Sequence, residues 1–290
     1  MAPHPAASVI LLREPPSGGL EVCMVRRRRG ASFMASAYVF PGGGVDPGET
    51  DRECAARELF EEAGVALVTA VEEPGATAAL EPHQVAALAS LRAMLVAGKA
   101  PARQLLAQAG LRWDVDALVP WAHWITPSLE PKRFAAQFFL ASLPAGQAAS
   151  ADEVEAVEQR WVAPARVLEL AKELALPPPQ LRTLWELQEA STIDAAMVLA
   201  RARSAEPHPI LPRAAMLPAR QPEQGPAGAL CLLLPWDPEY LELGQGDAHP
   251  MADLPSWARG PSRFVLDPSQ EERGPRIWRH LHAPGLTTAG

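Results

Sequence analysis

Gly43-Gly44-Val45-Asp46-Pro47-Gly48-Glu49, followed after seven residues by Arg57-Glu58-Leu59-Phe60-Glu61-Glu62-Ala63-Gly64-Val65, decides the fold of this chain. Thr50-Asp51-Arg52-Glu53 has the Thr-x-x-Glu spacing of a reciprocal helix N-cap, and Gly64 stands where a left-handed residue ends a helix. Together they predict one helix over residues 51–63. At about 100° per residue, Glu58, Glu61 and Glu62 share one face of that helix, and Ala56, Leu59, Phe60 and Ala63 share the opposite one. One face packs while the other gathers carboxylates.

Carboxylates three and four residues apart on a helix repel, and no lysine lies among them. A divalent cation supplies the missing positive charge. Hard oxygen donors favour magnesium, with manganese as a substitute. Arg57, four residues from both Glu53 and Glu61, is placed to orient and partly neutralise the acidic face. The short apolar run Ala37 to Phe40 leads into Pro41-Gly42-Gly43-Gly44, where glycines let the backbone come close to a metal or a phosphate. The expected metal set is therefore Glu58, Glu61, Glu62 and a backbone carbonyl at Gly43, with Phe40, Gly42 and Gly43 as substrate contacts.

At 290 residues the chain exceeds one small catalytic domain, which predicts one domain plus additions. A net charge of -8 and a pI near 5.4 speak against general nucleic-acid binding, which rests on basic surface. An anionic small molecule must then be drawn by local charge. Arg26 to Arg29 offer it, and Arg26 and Arg27 are expected to grip phosphates. Three cysteines, Cys23, Cys54 and Cys231, lack paired or metal-ligand spacing and suit a reducing compartment. The early apolar run Ala6 to Leu12 has no basic leader and is too short to span a membrane, so a cytoplasmic protein without a membrane partner is expected.

Along the chain, strands are predicted over residues 7–13 and 20–27, joined by the turn-forming Glu14-Pro15-Pro16-Ser17-Gly18-Gly19, and over residues 65–71, 132–143 and 157–162. Residues 83–109 have apolar positions at helical spacing, broken by Gly98 and Pro101 into two helices. They form an insertion at about residues 80–120. A helix over 164–174 and one helical pattern from Pro177 to Arg203 follow. From Glu206 onward fourteen prolines punctuate the chain, with strand candidates at 229–234, 264–266 and 277–281. The expected organisation is an α/β domain over 6–203, with a mixed sheet between helices, and a Pro-rich, small β-rich extension over 204–290.

The complete spacing (Gly, five residues, Glu, seven residues, Arg-Glu-aliphatic-x-Glu-Glu-x-Gly-aliphatic) is similar to the box of Nudix hydrolases, which cleave a nucleoside diphosphate linked to another group. With Gly30 to Gly43, Trp124-Ile125-Thr126-Pro127 and Arg133 to Leu140, the chain resembles, over about residues 6–203, the Nudix branch of peroxisomal coenzyme A diphosphatases and their bacterial relatives. The resemblance implies a Nudix α/β/α sandwich with a helical insertion after the box. It implies Mg2+ or Mn2+ held by Glu58, Glu61 and Glu62, with Glu58 as ligand or base and Arg57 and Glu49 as orienting partners. A further carboxylate from a loop outside the box is expected at Glu153, within Asp152-Glu153-Val154-Glu155. The implied reaction cuts the pyrophosphate of coenzyme A or acyl-coenzyme A to 3',5'-ADP and (acyl-)4'-phosphopantetheine. ADP-ribose, NADH or nucleoside triphosphates are alternative substrates for the same machinery, and a non-catalytic ligand-binding module is the third reading. Many relatives are dimers, so a homodimer is also expected.

Overall fold

Aliphatic residues alternating along the first strand give it two apolar faces, and the rest of the chain is layered on them. The computed structural model describes residues 2–28, 36–71, 82–151, 156–218, 225–267 and 276–283. In chain order the strands and helices are β1 (His4–Arg13), β2 (Glu21–Arg27), β3 (Tyr38–Val39), β4 (Gly42–Gly44), α1 (Asp51–Ala63), β5 (Val68–Ala70), α2 (Pro82–Val96), α3 (Ala102–Gln108), β6 (Leu111–Trp113), β7 (Val119–Ile125), β8 (Phe134–Ser142) and β9 (Ala156–Val162). There follow α4 (Val167–Glu173), α5 (Pro178–Leu187), α6 (Ile193–Ser204), β10 (Pro209–Ile210), β11 (Arg213–Met216), β12 (Leu230–Leu233), α7 (Tyr240–Leu243), β13 (Arg263–Leu266) and β14 (Trp278–Leu281). No helix among the described residues is long and apolar enough to cross a membrane.

The main sheet runs β10-β7-β8-β1-β2-β3, with β4 also on β1 and β9 on β2. It is mixed: β1 lies parallel to β8, from His4 opposite Phe134 to Leu12 opposite Ser142, and antiparallel to β2 and β4. Alternation sends Ala7, Val9 and Leu11 to one face and Ile10 and Leu12 to the other. On the first face α1 buries Cys54, Ala55, Leu59, Phe60 and Ala63, backed by Leu88, Leu91, Leu105 and Leu106 of the insertion. Each large side chain so buried stabilises the fold by about 1.5–3 kcal/mol. On the second face lie Leu181, Leu184 and Leu187 of α5 with Ala196 and Ala200 of α6. The result is the expected α/β/α sandwich.

The box helix forms with both caps in place. Thr50 Oγ1 accepts from the Glu53 N–H at 3.3 Å, and the Glu53 carboxylate accepts from the Thr50 N–H at 3.0 Å. Gly64, at φ 68°, donates its N–H to the Phe60 carbonyl at 3.0 Å. The two expected insertion helices are α2 and α3. The strand expected over 65–71 is shorter and pairs with β6 in a separate two-stranded sheet that closes the insertion, because Val65 to Leu67 pack into the core as a connection. The single helical pattern expected up to Arg203 breaks between α5 and α6. There Thr192 accepts from the Ala195 N–H at 3.2 Å and caps a new helix.

Beyond residue 204 the chain builds a four-stranded antiparallel sheet, β11-β12-β13-β14. Three of its strands were predicted. β11 was not, since Arg213-Ala214-Ala215-Met216 has no β-branched residue and is recruited by pairing with β12. Phe264 and Trp278 of this sheet share a core cluster with Leu181 and Leu184. Arg182 of α5, fully buried, donates to the carbonyls of Pro261, Trp257 and Arg259 at 2.9, 3.2 and 2.8 Å. β10 extends the main sheet in parallel with β7. Replacing Thr50 by Ala is expected to lower the stability of the chain by about 1 kcal/mol through loss of the box-helix cap, read as a shift of the urea midpoint at unchanged slope.

Candidate functional site

The glycine strand β4 is clamped between the sheet and the box helix. Gly42 lies opposite Ser8 and Gly44 opposite Ala6 on β1. A Cβ on Gly42 would overlap Ser8 and the Ala7 backbone, and one on Gly43 would overlap the Glu58 carboxylate. Close approach, not backbone conformation, is what requires glycine here.

Arg57 organises the acidic helix face from below. Only 7% exposed, its Nε and Nη2 donate to the two Glu49 oxygens at 2.8 and 3.0 Å. Its Nη1 donates to Glu58 Oε1 at 2.8 Å and Glu61 Oε2 at 3.2 Å, and Nη2 also reaches the Gly44 carbonyl at 2.9 Å. The paired bonds to Glu49 are the fork geometry that only arginine provides. Burial opposes the charged guanidinium, but the Glu49 hydrogen bond and the charges of Glu58, Glu49 and Glu61 outweigh it and hold its pKa above the ordinary arginine value. Glu62, buried, accepts the Gly42 N–H at 2.9 Å. Beneath the loop the Cys54 thiol lies 3.3 Å from the Gly44 carbonyl, and burial followed by the Glu58 charge pushes its pKa up to about 12.

The three glutamates expected to converge on a metal are divided between two partners. Glu58 and Glu61 share Arg57 Nη1, whereas Glu62 turns to the glycine strand. Among the described residues no three His, Cys, Asp or Glu side chains group closely enough to hold an ion. The repulsion read from the spacing is relieved by a guanidinium and a backbone N–H. The donor chemistry still fits a hard divalent cation: Glu58 and Glu61 bring carboxylate oxygens within reach of one nitrogen, and the glycine backbone meets Glu58 with no side chain between them.

Glu58 and the three glycines open into a cleft of about 720 Å³. Its floor is the second face of the sheet, where the register aligns Gly44, Ala6, Ala136 and Trp124 in one row and Gly42, Ser8 and Phe138 in the next. Of the expected substrate contacts, Arg27, Phe40, Gly42 and Gly43 line this cleft. Arg27 Nε is buried and has no hydrogen-bond partner among the described residues. Arg26 is not brought to the cleft; it pairs with Glu158 of β9 at 3.2 Å. Glu153 lies outside the described residues. The far wall holds residues that sequence reasoning missed: Gln180 in the first turn of α5, and Pro212, Leu232 and Trp278 from the chain beyond 204. Pro177-Pro178-Pro179 signals a helix start, but nothing local marks Gln180 or Leu232 as cleft residues.

A glycine strand pressed on a doubly capped helix with Arg57 and three glutamates, in a mixed sheet between helical layers, defines the Nudix fold and its box. A crystal structure of a NUDIX hydrolase from Alicyclobacillus acidocaldarius has the same fold, with a TM-score of 0.53 at 24% identity, covering 68% of this chain and 96% of that one. The NUDIX domain family matches residues 2–89 and the NUDT19 Nudix domain family matches residues 47–187, so Nudix-domain similarity runs through residues 2–187. A Caenorhabditis elegans protein named "Putative nudix hydrolase 7" is 33% identical over 196 residues, 65% of this chain and 62% of that protein. The human protein named acyl-coenzyme A diphosphatase NUDT19 is 28% identical over 241 residues, 62% of this chain and 64% of that protein. The chain thus spans a little over three fifths of the length of these two relatives.

Replacing Arg57 by Met leaves Glu49, Glu58 and Glu61 without their shared countercharge, and a loss of about 3 kcal/mol in unfolding free energy is expected by denaturant titration. Cys23 and Cys231, like Cys54, are buried with pKa values pushed up to about 12. At pH 8 all three thiols are therefore neutral in the native protein. A colorimetric thiol reagent is expected to find none of them until denaturant is added, and then all three.

Proposed function

We propose that this chain is a divalent-metal-dependent hydrolase of the pyrophosphate bond in a nucleoside diphosphate-linked substrate, specifically coenzyme A or an acyl-coenzyme A, releasing 3',5'-ADP and (acyl-)4'-phosphopantetheine. The carrying observation is the contact of Glu58 with the Gly43 backbone at the edge of a deep cleft, where carboxylate oxygens and side-chain-free backbone meet. The similarity to a relative named acyl-coenzyme A diphosphatase supports the choice of substrate.

In this reading Glu58, Glu61 and Glu62 with the Gly43 carbonyl hold Mg2+ or Mn2+. A cation bound there lowers the pKa of attacking water and neutralises charge on the phosphoryl oxygens. Glu58 is the ligand or base nearest the glycines and takes the proton of the attacking water at its carboxylate. Arg57 holds Glu58 and Glu61 in place, and Glu49 fixes Arg57 through both oxygens. Gly42 and Gly43 let a diphosphate approach the backbone, and the unpartnered Arg27 Nε is a donor for one of its oxygens. Glu153, of the loop before β9, is the proposed further carboxylate. All of these groups lie within residues 6–203, the proposed catalytic unit. A cytoplasmic location and a homodimer belong to the same proposal, and sedimentation reads the latter directly.

The test is purified protein with magnesium, then manganese, against coenzyme A, acetyl- and longer acyl-coenzyme A, ADP-ribose, NADH and nucleoside triphosphates, with products resolved by chromatography and mass. Release of 3',5'-ADP is expected, with Glu58→Gln and Glu61→Gln each lowering kcat by at least about 10²-fold. AMP from ADP-ribose or NADH would replace the substrate and keep the chemistry. No metal-dependent product from the whole panel would leave a ligand-binding module.

A further inference from the structure

We infer that the first turn of α5 and the sheet beyond residue 204 form the subsite for the arm of the substrate that extends away from the cleaved diphosphate, and that Gln180 and Leu232 determine which arm is accepted. The inference rests on the diphosphatase reading and gives a task to a part of the chain for which the sequence offered none.

The path of that arm is laid out by strand register. From the glycine strand, the row Gly44, Ala6, Ala136, Trp124 and Ile210 crosses the sheet from β4 through β1, β8 and β7 to β10. Four inter-strand steps of about 4.8 Å make it about 19 Å long. Two residues beyond Ile210, Pro212 already lines the cleft, together with Leu232, Trp278, Phe134 and Phe138. The track therefore begins at the box and ends on the C-terminal sheet. The Arg276–Glu130 ion pair, at 3.3 Å, ties the start of β14 to the loop between β7 and β8, and both residues line the same cleft.

The chemistry of the track selects its occupant. Around Gln180 the lining is aliphatic and aromatic, with Pro177, Pro178, Pro179, Pro212, Leu232 and Trp278, which suits methyl and methylene groups, while Thr126, Glu130, Lys132 and Arg276 line the cleft elsewhere. Into this apolar setting the chain places one amide. Gln180 is only 5% exposed, lines the cleft, and its Oε1 is buried without a hydrogen-bond partner among the described residues. A buried acceptor left unpaired is uncommon and asks for a donor. An extended chain of methylenes and secondary amides meets both demands: an N–H for Gln180 and apolar segments for Leu232 and Trp278. This is the chemistry of a pantetheine-type arm with an acyl thioester.

The test compares KM and kcat of the full chain and two variants, Gln180→Leu and Leu232→Asp, with its divalent cation on coenzyme A, acetyl-, octanoyl- and palmitoyl-coenzyme A. Thermal unfolding establishes that each variant folds. Gln180→Leu keeps the side-chain volume and removes the acceptor, and should raise KM for every member of the series about five-fold, with the loss concentrated in KM over kcat. Leu232→Asp should lower kcat/KM for the octanoyl thioester relative to free coenzyme A by about ten-fold. Should Leu232→Asp not fold, Gln180→Leu decides alone. If the parent cuts coenzyme A and the folded variants retain its KM values and chain-length profile, the subsite is refuted while the diphosphatase reading stands. If the parent cuts other diphosphates and never coenzyme A, both fall.

Discussion

The fold around the box depends on one buried guanidinium. Arg57 is bonded at once to the loop through Glu49, to the glycine strand through the Gly44 carbonyl, and to its own helix through Glu58 and Glu61. One side chain thus joins all three. The glycines could not lie against the helix if the loop before it were free, and the glutamates could not share one face without a countercharge. A lysine would supply charge but not the fork that grips Glu49 while a separate nitrogen serves Glu58 and Glu61.

That constraint explains the order in which the rest of the molecule is built. The box helix is anchored on its apolar side by Leu59 and Phe60 and on its polar side by Arg57, so its orientation on the sheet is set from two directions. Glu62, buried, takes up the Gly42 N–H and ties the first glycine of the strand to the last turn of the helix. The sheet then does two separate jobs with its two faces. One holds the helix, and the other provides the floor on which a ligand would lie.

What was legible in the sequence was local. The helix over 51–63 could be read because both caps and the apolar stripe are written within fourteen residues, and the insertion helices because Gly98 and Pro101 punctuate them. The role of Arg57 followed from its spacing to Glu61. Illegible were the features that depend on distant partners. Arg26 and Arg27 are neighbours, yet only the arrival of β9 sends Arg26 to Glu158 and leaves Arg27 at the cleft. β11 has poor strand chemistry and exists because β12 offers it an edge. Gln180 and Leu232 are unremarkable in their own segments and become cleft residues only when the C-terminal sheet closes over α5. The division of the three glutamates was hidden for a related reason, since helical spacing places side chains on a face but does not say which neighbour each will find.

Arg182 gives the chain beyond residue 204 a status that its proline content disguises. A fully buried cation bonded to three carbonyls of one loop cannot be exposed piecemeal: pulling the loop of Trp257, Arg259 and Pro261 away would leave Arg182 its Glu186 partner but take the acceptors from both of its terminal nitrogens under α5. The extension and the sandwich are therefore coupled in unfolding, and a lesion in the late part of the chain is felt as a loss of the whole. For a cell that degrades whatever opens, damage at residue 260 and damage in the sheet core would be handled alike.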